Sequence, residues 1–319
     1  VTRRALVTGA GGFAGQYVAR QLLADGWTVI GASAAPPAAG GALSPAEQGA
    51  VRWVIGDLRD DAVLLPLLDE APDAILHLAG IAHVVSAQQA PSLAFEVNTG
   101  IGARMLAHLR VRRAAGTADP VVLMVGSGEQ YGRHDAAALP LREDAPQRPL
   151  TVYAATKAAQ EVLALEAHRG GGLRVVCTRS FNHAGRGQAP GFLLSSLAER
   201  ARALKATGGR ALVLGNVTPV RDWLHVSDVA RAYVALLAHG EPGTAYNVAS
   251  GIGHDVATVA RRVLALAGVD ATLETDPALV RPVDVPALVG DPSRLQAATG
   301  WTPAKTLDDI LSDVLDAAP

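Results

Sequence analysis

Eight residues near the start, Thr8-Gly9-Ala10-Gly11-Gly12-Phe13-Ala14-Gly15, constrain this chain more than any other feature. They follow a short apolar run, Arg4–Thr8, that reads as a strand, and they open a helical pattern over Phe13–Ala24. Strand, glycine loop and helix in that order form a cradle in which a pyrophosphate sits against a helix N-terminus. Gly9 permits the tight turn, Gly12 lets the backbone approach the phosphates, and Gly15 lets the helix pack on the strand. Two registers fit, Gly9-x-x-Gly12-x-x-Gly15 and Gly9-x-Gly11-x-x-Ala14. The first is preferred, because it accounts for a glycine at 15 inside a helix.

The pattern that follows extends the same architecture. Strands are expected at 4–8, 28–31, 52–55, 74–78, 121–125, 174–177 and 245–248, several of them continuous apolar runs, as in strands covered on both faces. Helical patterns fall at 13–24, 93–111 and 153–168. The alternation predicts an α/β chain with a Rossmann-type doubly wound parallel sheet. It weakens after Arg179, where helices at 191–205, 228–238, 256–267 and 307–317 are joined by Gly-, Pro- and Asp-rich loops. Residues 1–180 therefore read as a dinucleotide-binding domain and 181–319 as mainly a smaller C-terminal substrate-binding lobe, with the strand at 245–248 returning to the first sheet. Residues 34–49 read as a surface loop.

Composition narrows the function. Of 319 residues, 49% are hydrophobic and only 4% aromatic, so there is material for a large aliphatic core and none of the signature of disorder. A formal charge of −2 gives no electrostatic reason to expect nucleic acid or an anionic membrane. The apolar runs are too short for a signal sequence or a membrane span. Cys177 is the one cysteine, which excludes an internal disulfide and a Cys-rich metal site and suits a reducing cytoplasm. No His/Asp/Glu spacing argues for a metal.

The end of the second strand selects between dinucleotides. A carboxylate there accepts the ribose 2′-hydroxyl of NAD, and an arginine accommodates the 2′-phosphate of NADP. Gly31-Ala32-Ser33-Ala34 supplies neither, so NADP is allowed and mildly favoured over NAD. Asp57-Leu58 after the third strand stands where an adenine could be read, although Asp57 also suits a helix N-cap. Leu78, Ala79 and Gly80 after the fourth strand leave space beside a cofactor. Asn98 completes the dinucleotide set.

Tyr153-Ala154-Ala155-Thr156-Lys157 opens a helix, and a spacing of four puts phenol and ammonium on one face. A nearby ammonium favours the phenolate, so Tyr153 is expected to have a lowered pKa and to exchange a proton with a carbonyl or alcohol. Ser127, at the carboxyl edge of the fifth strand, is placed to hold the reacting oxygen. As a turn residue it could equally cap its own backbone.

These residues carry a resemblance. Thr8-Gly9-x-x-Gly12-Phe13-x-Gly15, Gly56-Asp57-Leu58, His77-Leu78-Ala79, Ser127 and Tyr153-x-x-x-Lys157 together resemble the extended short-chain dehydrogenase/reductases, which include epimerases, dehydratases and reductases of nucleotide sugars. The resemblance continues through Arg221-Asp222-Trp223-x-His225-Val226-x-Asp228-Val229, Tyr246-Asn247-Val248, Arg281-Pro282 and Gly300-Trp301-x-Pro303. Within the family, Arg179-Ser180-Phe181-Asn182-His183-Ala184-Gly185-Arg186-Gly187-Gln188 is most similar to GDP-4-keto-6-deoxy-mannose reductases and then to GDP-mannose 4,6-dehydratases, with Arg186 in place of the usual proline. The resemblance implies that Tyr153 moves the proton, Lys157 also binds the nicotinamide ribose, and Ser127 orients the substrate oxygen. It implies further that Asn182 and Arg221, supported by Arg281, hold a nucleotide diphosphate. His83 and Ser86 are candidates for the sugar, and His183 lies near the same pocket.

Glu129 leaves the reaction open. A glutamate two before Tyr131-Gly132 resembles the elimination base of the dehydratases, but the residue before it is Gly128 where they carry a polar or acidic side chain. Reduction of the C4 keto group of a nucleotide-linked 4-keto-6-deoxyhexose, GDP-linked by the resemblance, ranks first. Dehydration or 4-epimerisation follows, and a catalytically inactive dinucleotide-binding sensor or scaffold is the alternative of another class. Apolar residues beyond a single stripe on 93–111 and 153–168 suggest a homodimer through those two helices.

Overall fold

A computed structural model describes residues 3–37, 41–280 and 285–317. Its strands are β1 (Arg4–Thr8), β2 (Thr28–Ser33), β3 (Arg52–Ile55), β4 (Ala74–His77), β5 (Val121–Ser127), β6 (Arg174–Ser180), β7 (Asn182–Ala184), β8 (Ala211–Leu214), β9 (Val220–His225), β10 (Ala245–Val248), β11 (Gly253–Asp255), β12 (Thr272–Thr275) and β13 (Ala287–Leu288). The helices are α1 (Phe13–Ala24), α2 (Pro45–Ala50), α3 (Asp61–Asp69), α4 (Val84–Gln89), α5 (Pro91–Phe95), α6 (Ile101–Ala114), α7 (Val152–Gly171), α8 (Leu193–Thr207), α9 (Val226–His239), α10 (Val256–Ala267), α11 (Ser293–Thr299) and α12 (Leu307–Asp316).

Seven strands form one sheet in the order β10-β6-β5-β4-β1-β2-β3, and every neighbouring pair is parallel. From β1 the chain runs outward to β3 and then returns to build the other half from β4. The crevice at the carboxyl ends of β1 and β4 is therefore the place where a doubly wound sheet binds ligands. The period-two alternation of a strand explains the two cores. Ala5 and Val7 face α1 and α9, where Val18, Leu22, Val229 and Leu236 are buried. Leu6, one residue out of phase, faces α3, α6 and α7, where Leu64, Met105 and Ala164 are buried. β10 joins β6 in parallel, so the strand at 245–248 does return to the first sheet.

Outside that sheet, β9 is flanked by β11 and β13 and also pairs with β7, while β8 and β12 form a separate parallel pair. Around them α8, α10 and α12 enclose a third core with Trp223 and Leu212. These strands of two to six residues are too short to have left a readable period in the sequence.

Two expectations change. The stretch 34–49 is not all loop, because α2 starts at Pro45, with Ser44 and Glu47 forming a reciprocal capping box. The helix expected over 93–111 is broken into α5, a π-helical turn Glu96–Gly100, and α6. The wide turn buries Asn98 and Thr99, and both side chains bond Thr156 of α7 at 2.9 Å. Cys177 is buried and free. No helix among the described residues is long and apolar enough to cross a membrane.

Candidate active site

The glycine loop is built as the crevice requires. Gly9 has φ +72°, and a β-carbon there would stand 2.8 Å from the Ala79 nitrogen. A β-carbon on Gly15 would stand 2.1 Å from the Gly9 carbonyl oxygen, so only glycine lets α1 approach β1. That contact with main chain supports the register running through Gly15. Gly12 is the N-cap of α1 and offers no side-chain cap, so the first N–H groups of α1 remain available to a ligand. The cradle fits a dinucleotide pyrophosphate.

Ser127 ends β5 and caps the short turn Gly128–Tyr131. Its hydroxyl accepts from the Glu129 N–H at 3.2 Å and also hydrogen-bonds the Tyr153 phenol, so capping the turn does not use up the hydroxyl. Thr151 caps α7, placing Tyr153 in its first turn and Lys157 one turn on. The Lys157 ammonium donates to the Val125 carbonyl at 2.8 Å and to Gln160 Oε1 at 3.1 Å.

The titration of this pair corrects the expectation. Burial pushes the Tyr153 phenol up to about 12, with the Glu129 charge adding and the Ser127 hydrogen bond opposing. Burial also pushes Lys157 down to about 8. Desolvation of the phenolate prevails over the Ser127 hydrogen bond, so Tyr153 is raised rather than lowered and keeps its proton at neutral pH.

Beneath these groups lies a buried ionic brace. Arg179 grips Glu161 through two bonds of 2.7 and 3.0 Å, and Glu161 also accepts from Gln130 Nε2 at 2.9 Å. Gln130 Oε1 in turn accepts the Ser127 N–H at 2.7 Å. One network thus ties β6, α7 and the Ser127 turn together.

A cleft of about 1340 Å³ runs along the carboxyl edge of the sheet. Gly9, Gly12, Phe13, Gly15, Ser33, Asp57 and Leu58 line its dinucleotide end, with Leu78, Ala79 and Gly80 beside the β4 edge. Ser127, Glu129, Tyr153 and Lys157 line its middle. His83, Asn182, His183 and Arg221 line the remainder, with His183 stacked on Phe13 at 6.2 Å. Asp222 turns away from the cleft, accepting the Ser250 and Gly251 N–H groups at 2.8 and 2.9 Å.

Two of the expected contact residues, Asn98 and Ser86, are not among those that line the cleft. Asn98 is fully buried and spends its amide on the Ile81 N–H and on Thr156, so it braces the wall without lining it. Ser86 supports His83, with Oγ 3.1 Å from Nδ1. Arg281 lies outside the described residues. No cluster of three or more His, Cys, Asp or Glu side chains suited to a metal occurs among the described residues.

Three wall residues went unread in the sequence. Arg59 lines the dinucleotide end and grips Asp57, with Nη2–Oδ2 at 2.6 Å. Its signal was the cation two places after Asp57. Phe192 packs edge-on against His83. Tyr233 reaches the cleft from α9 and bonds Ser180 Oγ at 2.6 Å; one aromatic on an amphipathic helix gave no signal.

The family described as GDP-mannose 4,6 dehydratase matches residues 6–314. A GDP-6-deoxy-D-mannose reductase of Pseudomonas aeruginosa is 34% identical over 99% of this chain and 97% of its own length. A UDP-glucose 4-epimerase of Azospirillum brasilense is 32% identical over 98% and 91%. Among solved structures, RMD from Pseudomonas aeruginosa complexed with NADPH superposes with TM-score 0.81 at 31% identity, covering 98% of both chains. The Thermus thermophilus UDP-glucose 4-epimerase in complex with NAD gives 0.82 at 30%, covering 99% of this chain and all of that one, 100%. With its parallel sheet, glycine cradle and Ser/Tyr/Lys wall matched over nearly the whole length, the chain belongs to the GDP-mannose 4,6-dehydratase family of extended short-chain dehydrogenase/reductases, a family of nucleotide-sugar reductases, dehydratases and epimerases.

Proposed function

We propose that this protein reduces the C4 keto group of a nucleotide-linked 4-keto-6-deoxyhexose, with GDP-4-keto-6-deoxymannose as the first substrate to test. The observation that carries the reading is the poverty of carboxylates at the reacting centre. Glu129 and Asp57 are the two that line the cleft among the described residues, and Asp57 belongs to the dinucleotide end. Gly128 offers no second acid, and a β-carbon there would meet the Phe181 ring at 3.1 Å. Eliminating water requires a base for one position and an acid for another. Reduction requires one proton donor, and Tyr153, held neutral, is that donor.

The bound dinucleotide supplies hydride to the carbonyl carbon. Ser127 and Tyr153 polarise the carbonyl oxygen by hydrogen bonding, and Tyr153 passes its proton to the alkoxide as it forms. Lys157 holds the nicotinamide ribose and faces Tyr153 across one helical turn. Arg221 and Asn182 hold the diphosphate, as an always-charged planar fork suits. His83, steadied by Ser86, meets the sugar. NADP is the favoured dinucleotide over NAD, since Ser33 presents no carboxylate to repel a 2′-phosphate and Arg59 is the cation lining that end. Residues 1–180 supply most of the dinucleotide site and 181–319 most of the sugar-nucleotide site. The reaction is placed in the cytoplasm, where a lone buried thiol stays reduced.

Glu129 favours a second reading, dehydration, because it lines the cleft and its charge is felt at Tyr153. Nicotinamide absorbance separates the two. With NADPH and GDP-4-keto-6-deoxymannose, reduction consumes one dinucleotide per sugar, whereas dehydration and epimerisation return it. Product accumulating at constant absorbance overturns the proposal.

The working unit is proposed to be a homodimer of α5–α6 and α7 against the same helices of a second copy. Phe95 and Val162 leave 53% and 60% of their surface exposed on these elements, and Leu163 adds to the apolar surface of α7.

A further inference from the structure

In the loop that joins β7 to α8, Arg186 has both of its main-chain polar groups held by side chains distant in sequence. Its N–H donates to Asp313 Oδ2 of α12 at 2.7 Å, and its carbonyl accepts the Tyr17 hydroxyl of α1 at 3.0 Å. The guanidinium lies 3.6 Å from the other Asp313 oxygen. A proline at 186 would have no N–H to give, so the bond to Asp313 belongs to the arginine that stands there.

Both holding groups are themselves fixed. The Ser227 N–H donates to His225 Nδ1 at 3.1 Å, so that nitrogen accepts and the ring hydrogen sits on Nε2, 3.1 Å from the same Asp313 oxygen. The His225 bond, aided by the Arg186 N–H, holds the Asp313 carboxyl below the usual carboxylate range. Tyr17 is buried, with its ring edge-on to His225 at 6.2 Å. Burial pushes its phenol up to about 12, so it keeps the proton it donates. Glycine on either side brings the chain to these partners. A β-carbon on Gly185 would stand 2.8 Å from Val226 Cγ1 and 3.2 Å from both Asp313 Oδ2 and His225 Nε2, and Gly187 has φ +85°.

The two ends of the same loop are cleft wall. Asn182 and His183 line the cleft before the held residue, and Gln188 and Phe192 line it after. Gln188 joins these ends, donating to the His183 carbonyl at 2.9 Å and accepting the Ser195 hydroxyl of α8 at 3.1 Å. Gly185, Arg186 and Gly187 are not among the lining residues, and neither are Tyr17 and Asp313.

We propose that Asp313 and Tyr17 are positioning residues of this wall: by holding the Arg186 main chain from α12 and from α1, they set where Asn182, His183 and Gln188 meet the sugar nucleotide. What the wall binds rests on the function proposed above; the anchor rests on geometry alone. Because neither side chain lines the cleft, their effect passes through Arg186. The bond to the Arg186 N–H needs an oxygen at position 313, which asparagine also supplies.

The test has two arms, and the first is independent of the proposed function. Trypsin is applied to the folded full chain and cleavage after Arg186 is followed by fragment mass. The Arg186 side chain is half exposed, so cutting there waits on local release of its main chain. Asp313→Ala and Tyr17→Phe should each speed that cut about fivefold, the equivalent of one ordinary hydrogen bond, with cleavage at other arginines unchanged. Asp313→Asn should stay within about twofold of the parent. The second arm measures KM and kcat for GDP-4-keto-6-deoxymannose, and NADPH affinity by fluorescence. Asp313→Ala should raise KM about fivefold while kcat and NADPH affinity stay within about twofold, and Asp313→Asn should restore KM. Parent-like cleavage after Arg186 in both Asp313→Ala and Tyr17→Phe overturns the anchor. Faster cleavage with KM unchanged, or with kcat and NADPH affinity falling alongside, overturns the positioning role. A parent that turns over no such substrate is a failure of the proposed function, and the trypsin arm then decides the anchor by itself.

Discussion

Tyr153 and Lys157, the proposed catalytic pair, show how burial sets the protonation of a side chain and what it costs. The phenol is pushed up to about 12 and so is protonated at neutral pH, the form that a proton donor to an alkoxide needs. Tyr153→Phe should lower turnover by about 10³-fold while leaving NADPH affinity, read by fluorescence, nearly unchanged. For Lys157, the folded value of about 8 lies below the ordinary 10.5. Below pH 8 the lysine is charged in both states, and the folded protein bears the full cost of burying that charge. Between pH 8 and about 10.5 the unfolded chain binds a proton that the folded chain lacks, so stability rises with pH. In the absence of dinucleotide, Lys157→Met should therefore raise stability at pH 7 by up to about 3 kcal/mol, and thermal melts should show the gain shrinking above pH 8. At this scale the sequence was legible where a spacing has chemical meaning, as in the four-residue step from Tyr153 to Lys157. The direction of the Tyr153 shift was not, because it depends on how much water the fold removes. The burial of Asn98 was not legible for a similar reason, since a polar residue near a site reads the same whether it faces the cleft or the wall.

The elements owe their placement to a few buried polar ties. Arg179, Glu161, Gln130 and the Ser127 N–H join two strands' ends to α7, so the brace and the catalytic wall form one unit. Glu161→Leu leaves Arg179 buried without its partner and should destabilise the protein by about 3–5 kcal/mol, measured by denaturant titration. A smaller loss would mean that Arg179 finds another partner or reaches water. Gly15→Ala should likewise lose both stability and dinucleotide binding, since its methyl would stand 2.1 Å from a main-chain oxygen of the phosphate loop. The parallel strands and their crossover helices were readable from apolar runs and glycine punctuation. The π-helical turn Glu96–Gly100 was not, because five residues are too few to show a period of their own; it is stabilised by Asn98 and Thr99 reaching Thr156, a contact between residues far apart in the chain.

At the scale of the molecule, one cleft collects residues from Gly9, just after β1, to Val285, and the C-terminal elements complete what the parallel sheet begins. Their order along the chain was visible as motifs, while the packing of β7, β9, β11 and β13 into a second sheet was not, because such short strands are defined by their partners. The proposed dimer is testable at this scale: Phe95→Glu paired with Val162→Glu should convert a dimer to a monomer in light scattering, and a parent that is already monomeric contradicts that interface. The central claim is that hydride moves from the dinucleotide to C4 of the sugar and stays there. The direct measurement is turnover of GDP-4-keto-6-deoxymannose with NADPH carrying deuterium at the transferable position, followed by mass and NMR analysis of the product. The account predicts one deuterium per product molecule, at C4. Product formed with no deuterium at C4 would contradict it.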